Sequence, residues 1–246
     1  MPRGPVDLAR QWFLFAAAYY VYRLVRGLVD GRANSAYQHA RDIVDLERSL
    51  HSFVEVDIQQ WALHNPFFIN VADWMYVNSH FLVTTTFLIW LYVKRNHAYY
   101  FVRNMFMVSM LFALVGYLVF PAAPPRFLPE WGFQDTVADF FGEGVSDGAS
   151  VLYNPYAAVP SMHVAFALMI AVPAVQLVRG YALKLAWSLY PLLVTFVVIA
   201  TGNHFWFDAA LGAIVAGGSA LLARDAFGRA RPEAWAWRRA PLEAGI

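Results

Sequence analysis

Residues 202–223, GNHFWFDAALGAIVAGGSALLA, decide the fold. From Ala209 to Ala223 the stretch carries no charged side chain. A helix of about 20 largely apolar residues is what crosses the hydrocarbon core of a bilayer, so the stretch reads as a membrane span at 204–223. Working outward, further apolar runs lie at 11–29, 66–93, 100–120, 161–178 and 183–201. The reading is an all-α polytopic membrane protein with six transmembrane helices. Arg23 and Arg26 interrupt the first run, which is read as a retained span because no small-residue cleavage site follows it. Pro66 suits the first turn of the second span, where its missing N–H has no partner to lose.

Composition agrees. Of 246 residues 59% are hydrophobic and 14% charged, against about a quarter charged in soluble domains. Many of the nine Trp stand where apolar and polar runs meet, as in the aromatic belts of membrane proteins. The absence of Cys excludes disulfides, thiolate nucleophiles and Cys-based metal sites. A net charge of +1 recommends no nucleic-acid partner. One membrane domain over 1–246 is expected, with its core over about 60–223 and a polar cytoplasmic tail, loosely ordered, at 224–246. Between the first two spans, DIVDLERSLHSFVEVDIQQWALH (42–64) suggests amphipathic helices lying at the surface. The other long connection, 121–160, is rich in Pro, Gly and acids.

Six spans divide the basic residues 12 against 6 between the two faces. Positive charge stays on the cytoplasmic side, so both termini are expected there, in a multi-pass cell-membrane protein. The connections 30–65 and 121–160 then lie outside. That places two polar segments, NPYAAVPSMHV (154–164) and GNHFWFD (202–208), at helix mouths on the same outer side.

In the second segment His204 and Asp208 stand at i, i+4 and face the same way on a helix. The carboxylate can accept the Nδ1–H of the imidazole, leaving Nε2 as nucleophile or base. The alternative is an interfacial His beside a capping or solvated Asp. In the first segment Pro160, Ser161 and His163 open a helix whose free N–H groups favour phosphate. Ser161 can cap or donate to the anion, and His163 can protonate a departing oxygen. Alone, this is also what an ordinary helix start looks like. Arg126, the only basic residue of the second outer connection, has the fork geometry that suits phosphate, or it snorkels at the interface. On the second span Asp73, Tyr76 and His80 fall at i, i+3 and i+7 and share a face. They line a headgroup pocket or serve polar packing between helices. Asn154, Tyr156 and Asn203 are further candidates for shaping the pocket.

Together APPRFLP (123–129), NPYAAVPSMHV (154–164) and NHFWFDAALG (203–212) resemble the type-2 phosphatidic acid phosphatase superfamily. The resemblance is closest to the branch of inositol phosphorylceramide synthases and their bacterial relatives, and it covers roughly residues 60–220. It implies that His204 attacks phosphorus to form a phosphohistidine-type intermediate, that Asp208 orients it, and that His163 protonates the leaving alkoxide. It also implies a lipid phosphate as substrate, with water, inositol, another polyol or a lipid hydroxyl resolving the intermediate. No cofactor and no metal are expected. One departure stands out: the superfamily carries an Arg six residues before the nucleophilic His, where this chain has Val198. A less cationic pocket tilts the expectation toward phosphodiester headgroup transfer. The competing class is a membrane lipid carrier or scaffold without catalysis.

Overall fold

The computed structural model describes residues 4–27, 32–141 and 156–231. Asn154 lies outside them. Every regular element among the described residues is helical. The principal helices are α1 (Gly4–Gly27), α2 (Ala33–Ser49), α3 (Glu55–Leu63), α4 (Pro66–Trp74), α5 (His80–Lys94), α6 (Asn96–Val119), α7 (Thr136–Phe141), α8 (Met162–Leu177), α9 (Tyr181–Ala200) and α10 (Trp206–Leu222). A π-helical turn, Met75–Ser79, joins α4 to α5, so that one helical rod runs over 66–94. Asn65 caps this rod by accepting from Phe68 N–H, with Pro66 in its first turn. The amphipathic stretch at 42–64 forms the C-terminal half of α2 and all of α3.

Among the described residues, three helices are long and apolar enough to cross a membrane: Asn96–Val119, Tyr181–Ala200 and Trp206–Ala230. The last continues α10 through a π turn and a short helix (Gly228–Ala230), so helix extends past Arg224 into what the sequence suggested was a loosely ordered tail. α8 is apolar but 16 residues long. α1 and the 66–94 rod are diluted by charged and polar residues, among them Asp7, Arg10 and Arg23 on the first and Asp73, Asn78 and His80 on the second. Two of these, Arg23 and His80, line a cavity.

The largest apolar core joins α1, α5, α6 and α8 through Tyr22, Leu91, Phe106, Phe166, Met169 and Ile170, all buried. α8 packs against both α9 and α10. Close approach of α10 to the start of α8 depends on Gly212, where a Cβ would overlap the carbonyl oxygen of Ser161. A smaller core beneath the loops at one end of the bundle gathers α2, the 122–133 segment, Ala158, Val159 and Phe205.

Candidate active site

Three loops meet at one end of the bundle, tied by backbone hydrogen bonds. Ala122 N–H donates to Tyr156 O (2.9 Å) and Ala158 N–H to Ala122 O (3.3 Å), an isolated parallel bridge between Ala122 and Ala157. Arg126 N–H donates to Gly202 O (2.8 Å), and Ser161 N–H to Asp208 O (3.0 Å). Each bond joins one of the motif segments 122–126, 156–161 and 202–208 to another, so main chain fixes the relative positions of their side chains. Gly202 makes the turn out of α9 with φ +66°. A Cβ there would meet Gln59 Nε2 at 2.5 Å, and Gln59 is itself pinned by bonds to Gln134 O and Gln134 N–H (2.9 and 3.0 Å).

Turning the chain at Gly202 brings Asn203 N–H and His204 N–H onto Val198 O (2.9 and 3.1 Å) and starts α10 at Trp206. Asp208, in the first turn and fully buried, directs Oδ2 back to Phe205 N–H (3.0 Å) and to His204 Nδ1 (3.2 Å). One carboxylate oxygen therefore caps the helix and orients the imidazole. With Nδ1 held by the carboxylate, Nε2 keeps its lone pair for chemistry. The His163 ring lies 5.9 Å from the His204 ring, centroid to centroid, close enough for one phosphoryl group to touch both. Tyr76 stacks on His163 at 4.6 Å, and His80 lies 4.7 Å from it while stacking on Phe166.

These groups border a cavity of about 250 Å³. Its lining, among the described residues, includes Arg23, Arg126, His80, His163 and His204 and no carboxylate. Arg126 is nearly buried. Its Nε stands 3.3 Å from Asp135 Oδ1 as an ion pair, with the N–H off the line of a hydrogen bond. A cavity walled by cations and imidazoles over partly apolar surface fits an anionic head on an apolar body.

A model of the PAP2 superfamily matches residues 41–222. The chain belongs to the PAP2 superfamily. No curated protein and no solved structure matches it. Membership supports a phosphatase-type function on lipid phosphates, and the cavity of this PAP2 superfamily member has the charge to receive one.

Of the residues expected from sequence, His204, His163, Arg126, Tyr76, His80 and Asn203 line the cavity, and Asp208 sits directly behind His204. Ser161 is buried and caps α8, accepting from Val164 N–H at 3.5 Å; it is not part of the cavity wall. Tyr156 packs its ring edge against Tyr37, and its neighbours Ala157 and Ala158 form the wall instead. Asp73 corrects the shared-face expectation. It is buried, accepts from Thr136 Oγ1 at 2.8 Å, and takes no part in the wall. Its carboxyl is held at the end of α4 by Thr136 instead, which is the polar packing that the sequence also allowed for this residue.

The structure also adds residues. Tyr19, Tyr22 and Arg23 of α1 close the wall at i, i+3 and i+4, with Tyr22 Oη 3.2 Å from Tyr117 Oη. The pocket is thus more cationic than Val198 suggested, because α1 contributes a guanidinium from outside the matched region. The available signal was Arg23 itself, a charge inside an apolar run, which is a functional candidate by default.

Proposed function

We propose that this protein is an integral membrane lipid phosphatase or phosphotransferase working through a phosphohistidine-type intermediate. The observation that carries the reading is the His204–Asp208 pair facing His163 across a cavity that holds Arg126 and Arg23. His204 Nε2 attacks phosphorus in line, forming the N–P bond as the P–O bond to the leaving group breaks. His163 gives its proton to the departing alkoxide. Water or a hydroxyl acceptor then loses a proton to His163 and attacks phosphorus, and the N–P bond breaks. General acid–base assistance of this type is worth about 10²–10⁴-fold. Arg126 and Arg23 neutralise the phosphoryl oxygens, so the reaction proceeds without a metal. Tyr76 stacked on His163 fixes the ring of the acid.

Six spans, cytoplasmic termini and a site on the extracytoplasmic face complete the reading. It is supported by the helix ends at the cavity: the C-terminal parts of α1 and α6 meet the N-termini of α8 and α10 there. Transfer of a phospho-headgroup to inositol or another polyol, as in the inositol phosphorylceramide synthase-like branch, is the finer form of the proposal.

The test is a product assay on detergent-purified protein with EDTA present, against phosphomonoester, diphosphate and phosphodiester lipids. Release of phosphate or headgroup phosphate is expected, and a new labelled lipid on adding polyol assigns the transferase form. Lipid movement that survives loss of both His163 and His204, with no product, would give the carrier reading.

Arg23 has no ion-pair partner among the described residues. Its role in binding predicts that Arg23→Gln raises KM for the lipid phosphate by about ten- to a hundredfold, with kcat little changed, the range expected for one charge-assisted hydrogen bond. Steady-state kinetics in mixed micelles measure both constants, and an unchanged KM would remove Arg23 from the site.

A further inference from the structure

The start of α10 is held by acids from outside the motifs. Trp206 N–H donates to Glu55 Oε1 at 2.9 Å, and Phe207 N–H donates to Glu47 Oε1 at 3.0 Å. Phe205 N–H goes to Asp208. The N–H groups that a helix N-terminus leaves unpaired are therefore taken by three carboxyl groups, one each from α2, α3 and α10. All three residues are fully buried. Glu55 is an acceptor on both oxygens, since its Oε2 also receives Val54 N–H at 3.0 Å. Glu47 differs: its Oε2 is buried and receives no donor among the described residues. Two buried carboxyl groups that accept from the consecutive N–H groups of Trp206 and Phe207 cannot both be ionised at low cost, because like charges at a shared buried site drive one proton back on.

We propose that Glu47 and Glu55 are positioning residues: a proton-sharing carboxyl–carboxylate pair, with the proton on Glu47, that fixes the start of α10 and so aims His204 at phosphorus. The proposal rests on the catalytic reading given above for His204. In that reading Glu55 and Asp208 supply negative potential beside a ring that becomes positive when it is phosphorylated. The proton on Glu47 removes one negative charge from the cluster around this helix N-terminus, which carries about half a positive charge.

Glu47's carboxyl is pushed up to about 9, first by burial, then by the charge and hydrogen bond of Glu55, with Asp208 adding to it and the Phe207 N–H opposing. The charged and titratable groups facing it are thus Glu55 on α3 and Asp208 on α10, with His204 beyond. The unfolded chain releases this proton near its ordinary value of 4.5, whereas the folded chain keeps it to about 9. The unfolded state therefore binds fewer protons across that window, and stability falls as pH rises through it.

Glutamine replaces the two residues unequally. At position 47 it presents an oxygen to Phe207 N–H and an N–H to Glu55, as the protonated acid does. At position 55 it sets an NH₂ against a backbone N–H. The experiment compares Glu47→Gln and Glu55→Gln with wild type in the full-length purified protein, reading Tm, kcat and KM across pH. Glu47→Gln is expected to keep kcat within about threefold at neutral pH, as a side chain that preserves the geometry should. It should also flatten the fall of Tm between about 4.5 and 9 and carry turnover to higher pH. Glu55→Gln is expected to lower kcat about thirtyfold or more with little change in KM, the signature of a misaimed nucleophile. Equal damage from both substitutions, or an unaltered pH slope of Tm in Glu47→Gln, would overturn the proposal. The Tm slope needs neither turnover nor a folded Glu55 variant. A wild type inactive on every lipid would therefore count against the catalytic reading while leaving the carboxyl pair open to test.

Discussion

His204→Ala is expected to lower turnover of the lipid phosphate by about 10⁴-fold or more in protein that still folds, as loss of a covalent nucleophile does elsewhere. The fold should survive because the ring faces the cavity, while the bonds that set this turn come from backbone: Asn203 N–H and His204 N–H to Val198 O, and Phe205 N–H to Asp208. Asp208→Asn separates orientation from chemistry. Its Oδ2 receives both Phe205 N–H and His204 Nδ1. An amide can offer oxygen to both but no charge, so about 10²–10⁴-fold is expected to be lost. Measuring labelled product in the presence of EDTA, with size-exclusion chromatography for folding, decides the matter. Full activity in folded His204→Ala protein would sink the phosphohistidine mechanism.

How much of this was legible in the sequence follows from what each signal depends on. Apolar runs and helix mouths depend on local order along the chain. Five of the six expected runs correspond to helices shifted by a few residues at most, and the first begins earlier than expected, at Gly4. His204 and Asp208 were legible because i, i+4 is a local relation that α10 preserves. Asp73 was left between pocket and polar packing, because its partner Thr136 stands 63 residues away in the chain. Glu47 and Glu55 were hidden for another reason. In an amphipathic stretch an acid reads as solvated, and only the fold shows these two turned inward onto Phe207 and Trp206. Arg23 was visible as an anomaly, but its destination required α1 to pack beside α6. Pairing of the 122–126 loop with the other two motif loops is likewise a tertiary fact, carried by backbone groups that any residue possesses.

Gly212→Val is expected to lower both stability and turnover, because it acts on the contact that assembles the site. A Cβ at Gly212 would overlap the carbonyl oxygen of Ser161 and stand 3.4 Å from Ala165 N. Both obstacles are backbone in the first turn of α8, the turn that carries His163, and cannot swing aside as a side chain would. α8 must instead retreat from α10, breaking the Ser161 N–H bond to Asp208 O and widening the distance between the His163 and His204 rings. Overpacking of this kind costs about 1–3 kcal/mol, or about 2–12 °C in Tm for a chain of this length. A shift of about 1 Å between acid and nucleophile costs about 10²-fold in turnover. Gly217 lies in the same helix with open space around its Cβ position, so Gly217→Ala is the matched control. It removes a helix-weakening glycine worth about 1 kcal/mol and should leave both Tm and kcat equal to wild type or better. If Gly212→Val matched that control in thermal melts and product assays, α8 and α10 would not be in contact at Ser161. The His163 and His204 rings would then have to be aligned by the loop bonds through Ala122 and Gly202 alone.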